Sequence, residues 1–274
     1  MPTLYLVGTP IGNLEDMSRR AVRILGEVGL IAAEDTRTTA KLLHHYQIAT
    51  PLVSYHDFSG PERQNQLLQK LAVMDVALVS EAGMPGLSDP GYRLVTAAIT
   101  ASIPIVPIPG PAAAVLALVS SGLPTDSFLF LGFLPRQQKA RQAALTAVAQ
   151  LPYTLVLYES PRRILPLLAD IVATLGDRPV AVGRELTKLY EEIWRGTASE
   201  AAAYFAAKGT RGEFTLVVGG AAPSAETWSE TAVRQALRAY VAQGLTRKEA
   251  AVKVAAESGW RKRDIYKPDW FEEG

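Results

Sequence analysis

The stretch Leu4-Tyr5-Leu6-Val7-Gly8-Thr9-Pro10-Ile11-Gly12-Asn13 begins with four apolar residues that stop at a glycine and a proline. Proline withholds a backbone donor and glycine tolerates turns that other residues resist, so this is a short buried strand ending in a bare loop. The same pattern repeats outward from it. Val22, Leu25 and Val28 recur at three-residue steps and predict a helix over about 18–28. Leu30-Ile31-Ala32-Ala33 reads as a second strand, closed by the charged cluster Glu34-Asp35-Thr36-Arg37. A helix over about 38–46 leads to Leu52-Val53-Ser54-Tyr55-His56-Asp57, and a polar helix over about 61–72 leads to a strand at 76–79. A further helix and a strand at 103–108 close the unit. Strands alternating with helices imply a mostly parallel sheet with helices on its faces.

Near Gly122-Leu123-Pro124 the chain changes domain and the alternation resumes, with strands expected at 128–131, 154–158, 180–183 and 214–218. Helices are expected between them, over about 136–150, 161–175 and 198–208. After the linker Ala221-Ala222-Pro223-Ser224 only helical periodicity remains: Val233, Leu237 and Val241 on one helix, Ala250, Ala251, Val254 and Ala255 on the next. The fold expected is therefore two tandem α/β domains (1–120 and 121–222) with mostly parallel sheets, plus a small C-terminal helical, helix-turn-helix-like segment (229–274).

Composition narrows the function. The 274 residues are 48% apolar and 20% charged, the profile of a globular protein. Cysteine is absent, which excludes disulfide scaffolds, thiol catalysis and cysteine-based zinc sites. The three histidines have no metal-site spacing, and no metal is expected. No basic segment followed by an apolar stretch opens the chain, so the expectation is a cytoplasmic protein. The uncharged run 94–125 is long enough to span a bilayer, but Pro104, Pro107, Pro109 and Pro111 interrupt it. No membrane segment is expected.

Ligands of parallel α/β sheets bind beyond the carboxyl ends of strands. Three loops there are rich in Gly, Pro and Ala: 8–13, 80–91 and 107–114. Bare backbone lets a flat ligand approach N–H and C=O groups closely. Within the second loop, Asp89-Pro90 also reads as a helix cap followed by a first-turn proline. Phosphate-loop, dinucleotide and nucleophile-elbow motifs are all missing.

The same loops carry a resemblance. Leu4 to Leu14, Ala32-Ala33-Glu34-Asp35-Thr36-Arg37, Leu78 to Gly91 and Val106 to Pro111 resemble the bacterial 16S rRNA (cytidine-2′-O)-methyltransferase family. That family is a branch of the tetrapyrrole methylase superfamily. Gly132-Phe133-Leu134-Pro135, Leu157 to Arg163, Arg184-Glu185-Leu186-Thr187-Lys188 and the tail segments 246–251 and 262–266 extend it over almost the whole chain. The resemblance implies a tetrapyrrole-methylase-like fold, a homodimer, and S-adenosyl-L-methionine bound between the two α/β domains. It implies cofactor contacts at Pro10, Ile11, Gly83, Met84, Leu87, Ala112, Ala113, Tyr158 and Glu159. Tetrapyrrole enzymes have Gly-Asp-Pro where this chain has Gly83-Met84-Pro85, so backbone atoms must replace a carboxylate at Met84.

A ribose hydroxyl is a poor nucleophile until its proton leaves, so a base near a strand end would help. The candidates are Asp35, Glu185 and His56. Each carboxylate has a structural alternative: Asp35 as a partner of Arg37 or a helix cap, Glu185 as a partner of Arg184 or Lys188. His44 and His45 read as a solvated helix face.

The near-neutral whole, 28 basic against 27 acidic residues, hides basic segments. Five basic residues (Arg136, Lys139, Arg141, Arg162, Arg163) stand against one acid over 134–163, and nine against four over 229–267. Local positive charge is the electrostatic footprint of RNA binding. The expected contacts are those five with Arg37, Arg247, Lys248, Arg261, Lys262 and Arg263. The partner that the resemblance implies is 16S rRNA within the 30S subunit. Two alternatives share the fold: a tetrapyrrole (porphyrinoid) S-adenosyl-L-methionine methyltransferase, and a non-catalytic S-adenosyl-L-methionine-binding module.

Overall fold

The computed structural model describes residues 1–56, 59–89, 91–222, 228–267 and 270–271. Asp57, Pro90, and Pro223 and Ser224 of the expected linker lie outside them. Two compact units emerge: 1–147 with 154–219, and 148–153 with 220–274.

The first unit holds two five-stranded sheets. One contains β1 (Leu4–Val7), β2 (Leu30–Ala33), β3 (Leu52–Ser54), β4 (Val76–Val79) and β5 (Ile105–Ile108), in the order β3-β2-β4-β1-β5. All four of its pairings are parallel. Parallel strands are covered on both faces, which is why these read as unbroken apolar runs. Helices α1 (Arg19–Glu27) and α2 (Thr36–His45) cover one face, where Ile24, Leu25 and Leu43 meet Val7, Ile31, Ala33 and Val79. On the other face α3 (Pro61–Leu71) and α4 (Tyr92–Thr100) bring Leu67, Leu71, Leu94 and Ala98 onto Leu4, Ala32, Val76 and Leu78.

Helix α5 (Ala113–Ser121) follows β5, yet its Ala114, Ala117 and Leu118 pack on the second sheet through Val156, Ala181 and Val217. That sheet contains β6 (Phe128–Phe133), β7 (Thr154–Glu159), β8 (Pro179–Arg184), β9 (Glu192–Thr197) and β10 (Phe214–Val218), ordered β6-β7-β10-β8-β9. Here the expectation of mostly parallel pairing needs correction. Only β6 and β7 are parallel; β7–β10, β10–β8 and β8–β9 are antiparallel. Strand β9 was not expected from the sequence, because Glu192 and Arg195 break its apolar pattern. It is an edge strand, and edges tolerate charge. Helices α6 (Gln138–Ala147), α7 (Ile164–Leu175) and α8 (Ala198–Lys208) complete the unit.

The second unit contains α9 (Glu230–Ala242), α10 (Arg247–Ser258) and the short α11 (Lys262–Ile265). Val233 and Leu237 of α9 bury against Ala250, Ala251 and Val254 of α10 and Ile265 of α11. Thr246 and Glu249 form a reciprocal cap that starts α10, and Gly259 ends it in the left-handed conformation. Among the described residues no helix is long and apolar enough to cross a membrane.

Candidate active site

The connections leaving the adjacent strands β1 and β4 run in opposite directions across the sheet, and ligands favour such crevices. The loops at these two strand ends are tied together. Thr9 N–H donates to Gly83 O at 2.9 Å, and Gly83 N–H returns the bond to Thr9 O at 3.1 Å. Gly8 and Gly110, after β1 and β5, touch backbone to backbone: a Cβ on Gly8 would stand 2.7 Å from the Gly110 Cα. Only glycine permits that approach, and it brings the β5 loop beside the other two.

Beyond these loops lies a cavity of about 600 Å³, a size typical of small-molecule sites. Its wall includes all nine residues expected at a cofactor site: Pro10, Ile11, Gly83, Met84, Leu87, Ala112, Ala113, Tyr158 and Glu159. The second sheet contributes strand ends from β6 (Phe133), β7 (Tyr158 and Glu159), β8 (Gly183) and β10 (Phe214). The Tyr158 hydroxyl accepts the Ala114 N–H at 3.2 Å, satisfying an amide at the start of α5, a helix with no side-chain cap of its own. Its ring meets Phe130 and Phe133 at 5.1 and 5.6 Å. Burial pushes the Tyr158 phenol above its ordinary value; the Ala114 amide works against this and the charge of Asp89 adds to it. The phenol therefore stays neutral and keeps a proton to donate.

Five carboxylates line the cavity (Glu34, Glu81, Asp89, Glu159 and Glu213) and, among the described residues, no Lys, Arg or His does. Glu159 is buried; its Oε1 accepts the Ser160 N–H at 2.7 Å and its Oε2 pairs with Arg163 at 3.1 Å. Glu34, Glu81, Asp89 and Glu213 were not expected here. Asp89 was read as the cap of the next helix, but α4 starts at Tyr92 with Gly91 as its N-cap residue, so the capping reading is corrected.

The three expected bases are not in the cavity wall. Asp35 caps α2, accepting the Arg37 and Thr38 amides, and pairs with the Arg37 guanidinium at 3.1 Å. Hydrogen bonds from Arg37 hold its carboxyl below the ordinary value, although burial works the other way. His56 is exposed after β3. Glu185 accepts the Lys188 ammonium at 3.0 Å and the Glu213 N–H at 2.9 Å. Burial would raise its pKa, but those two bonds and the charges of Lys188 and Arg184 together hold it low. A carboxylate stabilised as an anion is a weak base.

Two expected RNA contacts also need correction. The Arg141 side chain is only 6% exposed and pairs with buried Asp170 at 2.6 Å. Arg163 is partly buried and turns its Nη2 inward to Leu134 O, Pro135 O and Glu159. Arg37, Arg136, Lys139, Arg162, Arg247, Lys248, Arg261, Lys262 and Arg263 are exposed, with Arg261 and Arg263 turned to Asp264.

Comparisons with known proteins place the chain. The sequence profile of the Tetrapyrrole (Corrin/Porphyrin) Methylases matches residues 3–202. The chain is 50% identical to Ribosomal RNA small subunit methyltransferase I of Synechocystis sp. over 269 residues, covering 97% of this chain and 96% of that protein. It is 44% identical to the protein of the same name from Bacillus subtilis, over 97% of this chain and 93% of that one. Among solved structures, cobalt precorrin-4 methyltransferase shares the fold at a TM-score of 0.59 and 16% identity, over 79% of this chain and 94% of that one. Uroporphyrin-III C-methyltransferase from Thermus thermophilus, complexed with S-adenyl homocysteine, shares it at 0.56 and 21%, over 79% and 97%. The chain belongs to the tetrapyrrole methylase family and, within it, to the group of the ribosomal RNA small subunit methyltransferase I proteins.

Proposed function

We propose that the protein binds S-adenosyl-L-methionine in the 600 Å³ cavity and methylates the 2′-hydroxyl of a cytidine ribose in 16S rRNA. The observation that carries this reading is the acidic wall: it holds five carboxylates, of which Glu159 and Glu213 are paired with Arg163 and Lys188 outside the lining, and, among the described residues, no cation. A cationic donor is favoured in such a cavity. When bound, the donor supplies an electrophilic methyl group on a positively charged sulfonium. Gly83, Met84 and Leu87, with Ala112 and Ala113, offer apolar surface and bare backbone to a nucleoside. Tyr158 and Glu159 offer a proton donor and an anion. The same wall disfavours a tetrapyrrole bearing several carboxylates, whereas a ribose hydroxyl is neutral and its phosphates can stay outside.

The phosphates would then meet exposed cations: Arg37, Arg136, Lys139 and Arg162 in the first unit, Arg247, Lys248 and Lys262 in the second. We expect RNA affinity to fall steeply with salt. The double variant Lys248→Glu/Lys262→Glu should weaken RNA binding and lower the log–log salt slope by roughly one per lost phosphate contact, with donor affinity unchanged. A filter-binding titration at several salt concentrations checks this, and an unchanged slope removes the tail from the interface.

The reading also takes the assembled 30S subunit as the substrate, the cytoplasm as the location and a homodimer as the working form. Val115 and Val119, one turn apart on α5 and 48% and 66% exposed, are apolar surface suited to a second copy. Incubating the protein with methyl-labelled donor and free 16S RNA, 30S subunits or a porphyrinoid tests the whole. Label in RNA or 30S supports the reading, and label in the porphyrinoid overturns it.

A further inference from the structure

Phe133 is the last residue of β6; it stands on the cavity wall and keeps 56% of its surface exposed. A regular strand would not turn it the same way as Phe130, because residues three apart point to opposite faces. Strand β6 is not regular. Its register against β7 slips between Phe130, opposite Val156, and Gly132, opposite Leu157, so Phe133 comes level with Tyr158. Gly132 takes φ +59°, a conformation that favours glycine, and a Cβ there would stand 2.7 Å from Ser88 Oγ of the β4 loop. The bulge brings both rings onto Tyr158, at 5.1 Å for Phe130 and 5.6 Å for Phe133. Bulges beside binding sites commonly re-aim a side chain in this way. Phe130 packs against the core around α5, whereas Phe133 leaves more than half of its surface open at the cavity wall.

Exposed cations adjoin it: Arg136 and Lys139 follow β6, and Arg162 follows the neighbouring strand β7. An apolar ring with cations in the adjoining connections suits a nucleotide, whose base has a π face and whose phosphate is an anion. S-adenosyl-L-methionine carries no phosphate, so the pairing of ring and cations points to the acceptor rather than the donor. A ribose hydroxyl that enters the cavity also brings its own base with it, one glycosidic bond away.

We propose that Phe133 is a base-stacking residue, whose ring holds a nucleobase of the acceptor RNA borne by, or next to, the ribose that is methylated. The role rests on the ribose-methylating reading above. Single-stranded RNA is commonly recognised through unstacked bases laid on aromatic side chains. Phe133 positions the acceptor and takes no part in proton or methyl transfer.

Full-length Phe133→Leu, Phe133→Tyr and Phe133→Trp test this, with labelled donor and whichever acceptor wild type labels best, free 16S RNA or 30S subunits. Leucine keeps apolar bulk against Tyr158 but has no π face. Phe133→Leu should therefore lower kcat/KM for the RNA about five- to a hundredfold, while the two aromatic variants stay within about threefold of wild type. Isothermal titration should show the donor dissociation constant changing less than about threefold in all three, because stacking on RNA is a separate contact. Each variant should elute as wild type does in size-exclusion chromatography. Phe133→Leu working at the wild-type rate overturns the proposal, because packing alone would then suffice. Equal loss in all three variants overturns it as well, since tight fit rather than a π face would be what matters. So does donor affinity that falls in step with activity, which would give the ring to the donor, or a changed elution volume, which would give it to a subunit contact. Wild type that labels no RNA removes the ribose reading together with this inference, whereas active wild type beside an equally active Phe133→Leu removes this one alone.

Discussion

Asp170→Ala is expected to destabilise the protein by about 3–5 kcal/mol, because it strands a buried guanidinium without its anion. Asp170 on α7 accepts Arg141 Nε at 2.6 Å, Gln142 Nε2 at 2.7 Å and Gln138 Nε2 at 3.1 Å, all from α6. The two charged side chains are 6% and 3% exposed, so neither is screened by water. At roughly 2–4 °C per kcal/mol for a domain of this size, the melting temperature should drop on the order of 10 °C. The double variant Arg141→Met/Asp170→Leu should cost less than the sum of the singles, since it removes both charges at once. The pH dependence has a definite sign. Burial alone would raise the Asp170 pKa, but the glutamine and arginine hydrogen bonds and the Arg141 charge together hold it below the ordinary 3.8. Its contribution is therefore complete above that value and drains away as pH falls through the lower, folded-state pKa. Thermal melts at pH 7 and in acid check both points: the stability gap between wild type and Asp170→Ala should narrow in acid.

The second large effect is at the glycine contact behind the cavity. In Gly8→Ala the new Cβ would stand 2.6 Å from Met84 Sδ and 2.7 Å from the Gly110 Cα; in Gly110→Ala it would meet the Gly8 Cα at 2.7 Å. Backbone cannot swing aside as a side chain does, so the β1 and β5 loops must separate, at a cost of about 1–3 kcal/mol. Since Pro10, Met84 and Ala112 hang from these loops, donor affinity should fall tenfold or more in either variant. Gly26→Ala is the control. Its Cβ would meet nothing within 4 Å and it lies in α1, so it should leave donor affinity alone and add up to about 1 kcal/mol of stability. Isothermal titration with donor checks all three, and normal binding by Gly110→Ala would separate the glycine contact from the site.

The parallel sheet was legible because strands covered on both faces are apolar throughout, as in Leu30–Ala33 and Val76–Val79. The direction of pairing in the second sheet was not, because β7 and β8 are apolar whichever way β10 runs between them. Strand β9 escaped notice because Glu192 serves the ion pairs with Arg184 and Lys208 rather than the core. Glycine and proline exposed the cavity loops directly. The acids were harder to read. Asp35 and Glu185 find partners within three residues, Arg37 and Lys188, so their quiet roles were open to inspection. The place of Asp89 depends on α4 starting beyond it, and that of Arg141 on Asp170, which is 29 residues away in the chain. Long-range packing decides both.

The central claim is chemical: a donor in the acidic cavity methylates a ribose oxygen. The most direct test is to label 30S subunits with methyl-labelled donor and digest the RNA to nucleosides. The account predicts that the label migrates as 2′-O-methylcytidine. Label on a nucleobase, or none in RNA while a porphyrinoid acceptor is methylated, would contradict it.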